Sequence, residues 1–225
     1  MTTDSSWDKL VEKSQYHFDT GIMDPRWDTI IKLGQLDASD WVADVNAIIE
    51  QSRPANWETR GFKGEGVEVP GEELVNEEYD LERIGVDPKV IITNLSWQLS
   101  PRFQAISDAF GLADVMNRIH VQMPGQVWHL HIDKLYKWFP SDPDRVMRLF
   151  IALTDWEMGQ FWGYGNYNYS GWKAGDVTTF DWQNVPHSTA NAGFHPRVTL
   201  QITGIITPQT EAFLSELKSA SPYNL

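Results

Sequence analysis

Three potential metal ligands alternate along residues 127–138, VWHLHIDKLYKW: His129, His131 and Asp133. On a β-strand the side chains at i and i+2 leave the same face, so His131 and Asp133 can point a nitrogen and an oxygen toward one place. Two histidines and one carboxylate on an octahedral ferrous ion leave three adjacent positions for a bidentate cosubstrate and dioxygen. The pair needs one more histidine, and without it the His-x-Asp spacing is only weak evidence for a metal site.

His187 is the candidate for the third ligand. It follows the segment GDVTTFDWQNVP in the strand-rich half of the chain. Its separation from Asp133 is long enough for a later antiparallel strand to return beside the first one. The sequence therefore predicts a metal site formed by His131, Asp133 and His187.

Arg197 opens the segment RVTLQITG, in which strand alternation sends Arg197 and Thr199 to one face. A guanidinium buried in a barrel is costly unless a carboxylate meets it. Its planar fork can bind a carboxylate through two hydrogen bonds, which a lysine cannot do. The pattern favours a dicarboxylate cosubstrate as the partner of Arg197.

Together, His131-x-Asp133, His187 and Arg197 ten positions later resemble the Fe(II)/2-oxoglutarate-dependent oxygenases. The resemblance is closer to the aspartyl/asparaginyl β-hydroxylase-like branch, and it covers roughly residues 117–210. The segments that carry it are MPGQVWHLH, RLFIAL, WKAGDVTTFD, VPHSTANAGFHPRVTL and ITPQ.

The resemblance implies a double-stranded β-helix with Fe(II) at His131 and His187, and Asp133 completes an ordinary triad. It implies that Arg197, helped by Thr199, binds the distal carboxylate of 2-oxoglutarate. Where the branch carries Arg-x-His, this chain has Arg148-Leu149-Phe150, so the arginine carries over and the histidine does not. Two further cosubstrate contacts are predicted by position: Arg148 and His120.

The activity implied is hydroxylation of a C–H bond, with O₂ as the second cosubstrate and release of succinate and CO₂. A small molecule or peptide is the expected substrate: an amino acid, or an Asp/Asn-type side chain. The candidate substrate contacts are Arg145, His129 and Trp128.

A metal protein of the cupin type is the alternative. It would bind or isomerise a small molecule without 2-oxoglutarate, using His129, His131 and His187. The missing glutamate after the HxH pair and the unexplained Arg197 weaken this hypothesis. A non-catalytic β-helix used for protein interaction is a third hypothesis, which leaves three converging polar side chains without a purpose.

Short β-like runs separated by Gly, Pro and Asn begin at about residue 118 and must position these side chains. They are RIHVQM, QVWHLHI, RVMRLFIALT, QFWGYGNYNY, GDVTTFDW and RVTLQITGII. Closely spaced strands of this kind indicate a sandwich or barrel. The predicted fold is mainly β, a jelly-roll or cupin-like double-stranded β-helix with flanking N-terminal helices and a short C-terminal helix.

One domain is predicted over 1–225: a helical and loop preface over 1–116, a catalytic core over 117–210 and a helix over 208–220. The preface has a helix after Ser39 that stops at 52–54, and a second helix capped by Ser100 with Pro101 in its first turn. Between them, GFKGEGVEVPG at 61–71 predicts a loop.

Composition narrows the function classes. A net charge of −13, from 18 Lys and Arg against 31 Asp and Glu, opposes binding to a phosphate backbone, so no nucleic-acid partner is expected. The absence of cysteine excludes thiolate metal sites and disulfides. No run of 18 apolar residues and no signal-like N-terminus is present, so we expect a cytoplasmic protein without membrane contact.

Overall fold

The computed structural model describes residues 30–58, 93–95, 100–133, 135, 139–165 and 167–219. Within these ranges the chain forms ten strands and three α-helices. The strands are β1 (Ile31–Gln35), β2 (Thr93–Leu95), β3 (Ala113–Gln122), β4 (Val127–His131), β5 (Val146–Ala152), β6 (Gln160–Tyr164), β7 (Tyr167–Tyr169), β8 (Asp176–Thr179), β9 (His187–Asn191) and β10 (Arg197–Ile205). The helices are α1 (Val42–Glu58), α2 (Pro101–Ala109) and α3 (Pro208–Ser219).

Two antiparallel sheets contain all ten of these strands. The larger sheet has the order β1-β8-β5-β10-β3-β2, and the smaller has the order β4-β9-β6-β7. From β3 onward the chain passes back and forth between the sheets, with one hairpin, β6-β7, inside the smaller sheet. This is the topology of a double-stranded β-helix, so the predicted fold class is confirmed.

The outer face of the larger sheet is covered by the helices. Its strands carry apolar side chains at alternate positions, because one face of each strand packs against the helices. The helices supply aromatic and aliphatic partners to the same core. The fully buried members include Phe103 and Phe110 near α2, Ile119, Val121, Leu149, Ile151, Val177, Val198, Leu200 and Ile202 on the sheet, and Leu217 on α3.

A second core lies between the two sheets and is rich in aromatic side chains. Its buried members are Val146, Phe150, Ala152, Trp162, Tyr164, Trp172, Phe180, Trp182 and Val185. On β5, alternation sends Val146, Phe150 and Ala152 to the face opposite the helices, where they meet Trp162 and Tyr164 of β6. Buried polar residues share this inner face, and they form the candidate site described below.

The three helices confirm the predicted ones with small shifts in their bounds. Ser100 accepts a hydrogen bond from the Phe103 amide at the start of α2, as its cap position predicted. Helix α1 begins at Val42, and Ser39 lies in the turn before it. It continues to Glu58, past the predicted stop at 52–54. Helix α3 begins at Pro208 as predicted.

Two strands of the larger sheet come from the stretch predicted as helix and loop. Strand β1 pairs with β8, and β2 pairs with β3. The connection after β1 passes very close to Gly175: the Leu36 amide donates to the Gly175 carbonyl at 2.9 Å. Gly175 has φ +89°, and a β-carbon there would collide with the Leu36 carbonyl oxygen, so only glycine fits.

The structure describes only part of the predicted preface at 1–116. The predicted loop at 61–71 lies outside the described residues. Strand β3 begins at Ala113, four residues before the predicted core.

Among the described residues, no helix has both the length and the apolar character that crossing a membrane requires.

Candidate metal centre

Neighbouring strands of the smaller sheet bring His131 and His187 together. His131 ends β4, His187 begins β9, and the two residues are direct partners in the antiparallel ladder. Their ring centroids are 4.2 Å apart. Both side chains are buried, at 6% and 5% exposure. Strand pairing alone therefore delivers two imidazoles to one point between the sheets.

Asp133 follows β4 by two residues and completes a cluster with the two histidines. Its Oδ1 lies 3.6 Å from His131 Nε2, and its Oδ2 lies 3.7 Å from His187 Nε2. One ligand atom from each residue lies within 4.8 Å of the other two. Two ligands of one metal ion, each bonded at about 2.1 Å, lie about 3 Å apart when adjacent and about 4 Å apart when opposite. The three side chains are therefore close to metal-binding separation.

His187 has one ring nitrogen engaged and the other directed at the cluster. Its Nδ1 lies 3.3 Å from the Val185 carbonyl oxygen, so the tautomer that donates this hydrogen bond leaves an Nε2 lone pair toward Asp133. Burial, followed by the influence of His131, lowers the pKa of His187 to about 3. A neutral imidazole is the form that binds a metal ion.

Asp133 is ionised although it is buried. Burial by itself would raise its pKa, but Arg148, His187 and His131 together hold the pKa of this carboxyl well below its usual range. Arg148 makes the direct contact: its Nη1 donates to Asp133 Oδ2 at 2.5 Å. Its Nε donates to Thr203 Oγ1 at 3.0 Å. Predicted as a cosubstrate contact, Arg148 is placed by the structure against a predicted metal ligand.

Trp128 contacts the cluster from the other side. The indole Nε1 donates a hydrogen bond to His131 Nε2 at 3.0 Å, and the two rings meet edge to face. The Nε2 lone pair of His131, which a metal ion would use, therefore accepts a hydrogen bond from the Trp128 indole here. Binding of an ion to Nε2 requires the Trp128 indole to turn away. Sequence analysis had placed Trp128 at the substrate, without this contact.

Strand β4 is irregular between Trp128 and His131, although His131 and Asp133 converge as predicted. Trp128 pairs with Thr189 and His131 pairs with His187, so three steps along β4 oppose two along β9. This irregularity places Trp128 and His131 on the same side of the sheet. The His129 side chain lies outside the described part of the chain, so its predicted roles as a substrate contact or as a cupin-type ligand stay predictions.

A second polar position lies at the beginning of β10. Arg197 is 2% exposed, and its Nε and Nη1 have no hydrogen-bond partner among the described residues. Its guanidinium carbon lies 4.6 Å from the centroid of the Trp162 ring. Burial lowers the pKa of Arg197 to about 10, so it stays charged at neutral pH. A buried cation with two unused donors is expected to have an anionic ligand.

Two aromatic residues near Arg197 also carry unused polar atoms, and sequence analysis did not single them out. Trp162 Nε1 and Tyr164 Oη are buried and have no hydrogen-bond partner in the described structure. The Trp162 and Tyr164 rings stack at 5.5 Å, and Tyr164 stacks on His187 at 6.0 Å. These rings link Arg197 to the histidine pair. The alternation in QFWGY was the available signal, but it is also typical of ordinary core aromatics.

Three other residues predicted to contact cosubstrate or substrate are Thr199, His120 and Arg145. Thr199 is buried on the inner face of β10, directly across from His120 on β3. Burial, followed by Arg118, Arg197 and Arg148, lowers the pKa of His120 well below its ordinary value. Arg145 is exposed, and its Nη2 donates to the Ile206 carbonyl. The structure therefore puts Thr199 and His120 between the sheets and holds Arg145 at the barrel surface.

Comparisons with known proteins give partial likenesses only. No family model and no curated protein sequence matches the chain. A prolyl-4-hydroxylase from Pseudomonas putida superposes with a TM-score of 0.46 at 16% identity, over 80% of this chain and 93% of the other. SnoK, a non-heme alpha ketoglutarate dependent carbocyclase from nogalamycin biosynthesis, superposes with a TM-score of 0.47 at 13% identity. The match covers 83% of this chain and 85% of the other.

A Cupin 2 conserved barrel domain protein from Salinispora arenicola gives a TM-score of 0.32 at 13% identity, over 56% of this chain and 84% of the other. Oxygenases and cupins are thus both among the similar structures. Likenesses this partial do not decide the function of this chain, and they do not show the aspartyl/asparaginyl hydroxylase-like branch.

The residues present fit a metal ion and a dicarboxylate. Two imidazoles and one ionised carboxylate form a donor set that suits ferrous iron. Arg197 supplies a buried positive charge with unused donors in the same space between the sheets. Chemically, the arrangement can hold a divalent cation at His131, Asp133 and His187 and a carboxylate at Arg197.

Proposed function

We propose that this chain is an Fe(II)- and 2-oxoglutarate-dependent dioxygenase that hydroxylates a C–H bond. The observation that carries the proposal is the joint presence, between the same two sheets, of the His131-Asp133-His187 cluster and of a buried Arg197 with two unused donors. A metal protein that works without a dicarboxylate accounts for the cluster. It leaves the buried guanidinium unexplained.

Arg197 binds the distal carboxylate of 2-oxoglutarate in this proposal. The planar guanidinium offers Nε and Nη1, which are both unused, and the face of Trp162 holds the guanidinium in place at 4.6 Å. The unused Tyr164 hydroxyl can donate a further hydrogen bond to the same carboxylate. Thr199, two residues further along the inner face of β10, is the other proposed contact.

His131, Asp133 and His187 hold the iron. When bound, ferrous iron together with 2-oxoglutarate supplies dioxygen activation, with release of succinate and CO₂. Protein side chains orient the reactants and exclude water. The described part of the inner core has a wall of buried aromatic rings around His187, in which Phe180 lies 4.7 Å and Tyr164 6.0 Å from the imidazole centroid. An apolar wall of this kind protects reactive species from solvent.

An amino acid or an Asp/Asn-type side chain on a peptide is the proposed substrate. Trp128 lies beside His131, which puts it within reach of a molecule bound at the metal. His129 and Arg145 remain proposed substrate contacts. We propose no nucleic-acid or membrane partner.

An anaerobic titration tests the metal and cosubstrate assignments. Addition of Fe(II) and 2-oxoglutarate is expected to give a weak visible charge-transfer band. Arg197→Met should weaken 2-oxoglutarate binding, and His131→Ala should abolish the band. Arg102→Met, which removes an exterior arginine that pairs with Asp40 and Asp44, is the matched control.

Metal binding without any binding of 2-oxoglutarate would overturn the oxygenase proposal. Metal binding that survives His131→Ala but not His129→Ala would favour the cupin-type alternative instead. Once the band is established, free amino acids and peptides that contain Asp or Asn are screened for substrate-stimulated succinate formation. Stimulation by a member of either group identifies the substrate class.

A further inference from the structure

Arg148 is buried between the sheets and held on both sides of its guanidinium. It lies on β5 at 6% exposure, directly across from Thr203 on β10. Its Nε donates to Thr203 Oγ1 at 3.0 Å, and its Nη1 donates to Asp133 Oδ2. The backbone carbonyl of Arg148 also accepts a hydrogen bond from Thr179 Oγ1 at 2.8 Å. These contacts tie Arg148 to β8 and β10 of the larger sheet.

Asp133 is less firmly held by its own backbone. It lies two residues beyond the end of β4, where the ladder with β9 has stopped at the pair His131 and His187. The position of its carboxylate therefore depends on side-chain contacts rather than on strand pairing. The hydrogen bond from Arg148 connects it to the larger sheet.

This hydrogen bond distinguishes the two carboxylate oxygens. Oδ2 accepts from Arg148 and lies 3.7 Å from His187 Nε2, whereas Oδ1 does not contact Arg148 and lies 3.6 Å from His131 Nε2. A carboxylate that binds a metal through both oxygens occupies two coordination positions. One that binds through a single oxygen leaves three of six positions open in a facial triad, the number that a bidentate cosubstrate and dioxygen need.

We propose that Arg148 is a positioning residue for the metal ligand Asp133: it holds Oδ2, leaves Oδ1 for the metal ion, and is not a contact of the cosubstrate. This inference rests on the metal centre of the proposed function and differs from the role that the family resemblance implies for Arg148. Residues that orient metal ligands typically contribute about 10–100-fold to metal affinity.

The test measures metal affinity and cosubstrate affinity separately, with Co(II) as the probe. Arg148→Gln is expected to weaken Co(II) binding by about 10–100-fold. It should also change the visible Co(II) spectrum, which reports coordination number. At saturating Co(II), its affinity for 2-oxoglutarate should stay within about threefold of wild type, whereas Arg197→Met should lose it. Arg148→Lys, which keeps the positive charge but has a single donor nitrogen, should restore part of the Co(II) affinity.

Two further variants act as controls. Arg102→Gln removes an arginine that bonds two carboxylates on the outside of the barrel, at 2.9 and 2.7 Å, and should leave Co(II) affinity unchanged. Thr203→Val keeps Arg148 but removes the acceptor of its Nε, and should weaken Co(II) binding by a smaller factor. It also provides the test if Arg148→Gln does not fold, as judged by circular dichroism.

Each remaining outcome contradicts a different statement. Unchanged Co(II) affinity and spectrum in Arg148→Gln, with a loss of 2-oxoglutarate binding like that of Arg197→Met, would make Arg148 a cosubstrate contact and overturn the inference. Wild-type protein that binds Co(II) but not 2-oxoglutarate would overturn the oxygenase function, while the effect of Arg148 on Co(II) could still be measured. Wild-type protein that binds no Co(II) would overturn both.

Discussion

The two faces of strand β10 are equally buried and chemically opposite. All nine residues of the strand are buried. Toward the helices it presents Val198, Leu200 and Ile202, each with 0% exposure. Toward the smaller sheet it presents Arg197, Thr199, Gln201 and Thr203, with exposures from 0% to 3%.

The difference lies in how each face is stabilised. Apolar side chains on the helix side are satisfied by packing and by their removal from water. Polar side chains on the inner side need hydrogen-bond partners, and only some have them: Thr203 accepts from Arg148, whereas Arg197 Nε and Nη1 have no partner among the described residues. The outer face is thus satisfied by packing alone, whereas the inner face keeps buried polar atoms without a partner among the described residues.

The largest expected effect on stability comes from the outer face. Leu200→Ala leaves a cavity beneath the helices and should lower the free energy of unfolding by about 2–5 kcal/mol. Denaturant titration measures this change. Provided that the variant stays folded, its affinity for 2-oxoglutarate at saturating Co(II) should remain close to wild type. A selective loss of ligand affinity would show that the two faces are not independent.

Arg197→Met should produce the reverse result on the inner face. We expect the affinity for 2-oxoglutarate to fall by about 100-fold or more, since a buried charged hydrogen-bonding partner is lost. The ligand-free variant should be at least as stable as wild type, because an uncompensated buried cation is replaced by an apolar side chain of similar length. Isothermal titration and thermal melting measure the two effects. Destabilisation would mean that Arg197 has a structural role in the empty barrel.

His120 tests the polar face through pH. Its pKa in the folded protein lies well below the ordinary value of 6.5, because of burial and then of Arg118, Arg197 and Arg148. The unfolded state therefore binds this proton first as pH falls. The stability that neutral His120 contributes is complete above about pH 6.5 and is lost progressively below it.

His120→Asn removes this proton uptake. Between pH 7.5 and 5.5, wild type should lose about 1 kcal/mol more of its free energy of unfolding than the variant does. The comparison uses chelator-treated protein, so that metal binding does not contribute. Parallel stability curves for the two proteins would contradict the prediction.

Trp128→Phe gives the smallest expected change, and its sign is diagnostic. The indole and a metal ion compete for His131 Nε2, so loss of a hydrogen bond of about 0.5–1.5 kcal/mol should tighten Co(II) binding by about 2–10-fold. Trp156→Phe is the matched control, because it removes an indole bond to the Gln160 carbonyl oxygen. Weaker Co(II) binding in Trp128→Phe would mean that Trp128 supports the loaded site.

Much of the fold was predictable because local patterns determine it. Alternating residues predicted the strands that became β3–β6, β8 and β10, and capping residues predicted α2 and α3. The short strands β1 and β2 were not predicted as strands, and β9 was expected only as a strand that returns beside the first, without bounds. Their few residues carry little periodicity of their own, and pairing with partners distant in the chain stabilises them.

The candidate site divides in the same way. The sequence by itself indicated which residues share a strand face and pointed to His131, Asp133, His187 and Arg197 through their types and spacing. It could not show the irregularity in β4 that sets Trp128 beside His131, because one extra residue in a strand leaves no mark in the alternation.

Only the tertiary structure decided what the polar alternation of β10 means. A strand with one apolar and one polar face usually has its polar face in water, and the sequence is the same when a second sheet covers that face. Folding of the smaller sheet over Arg197 turned a pattern typical of a surface into a buried site. The same closure joined Arg148 to Asp133, because Arg148 lies on the larger sheet and Asp133 follows the end of β4 in the smaller sheet.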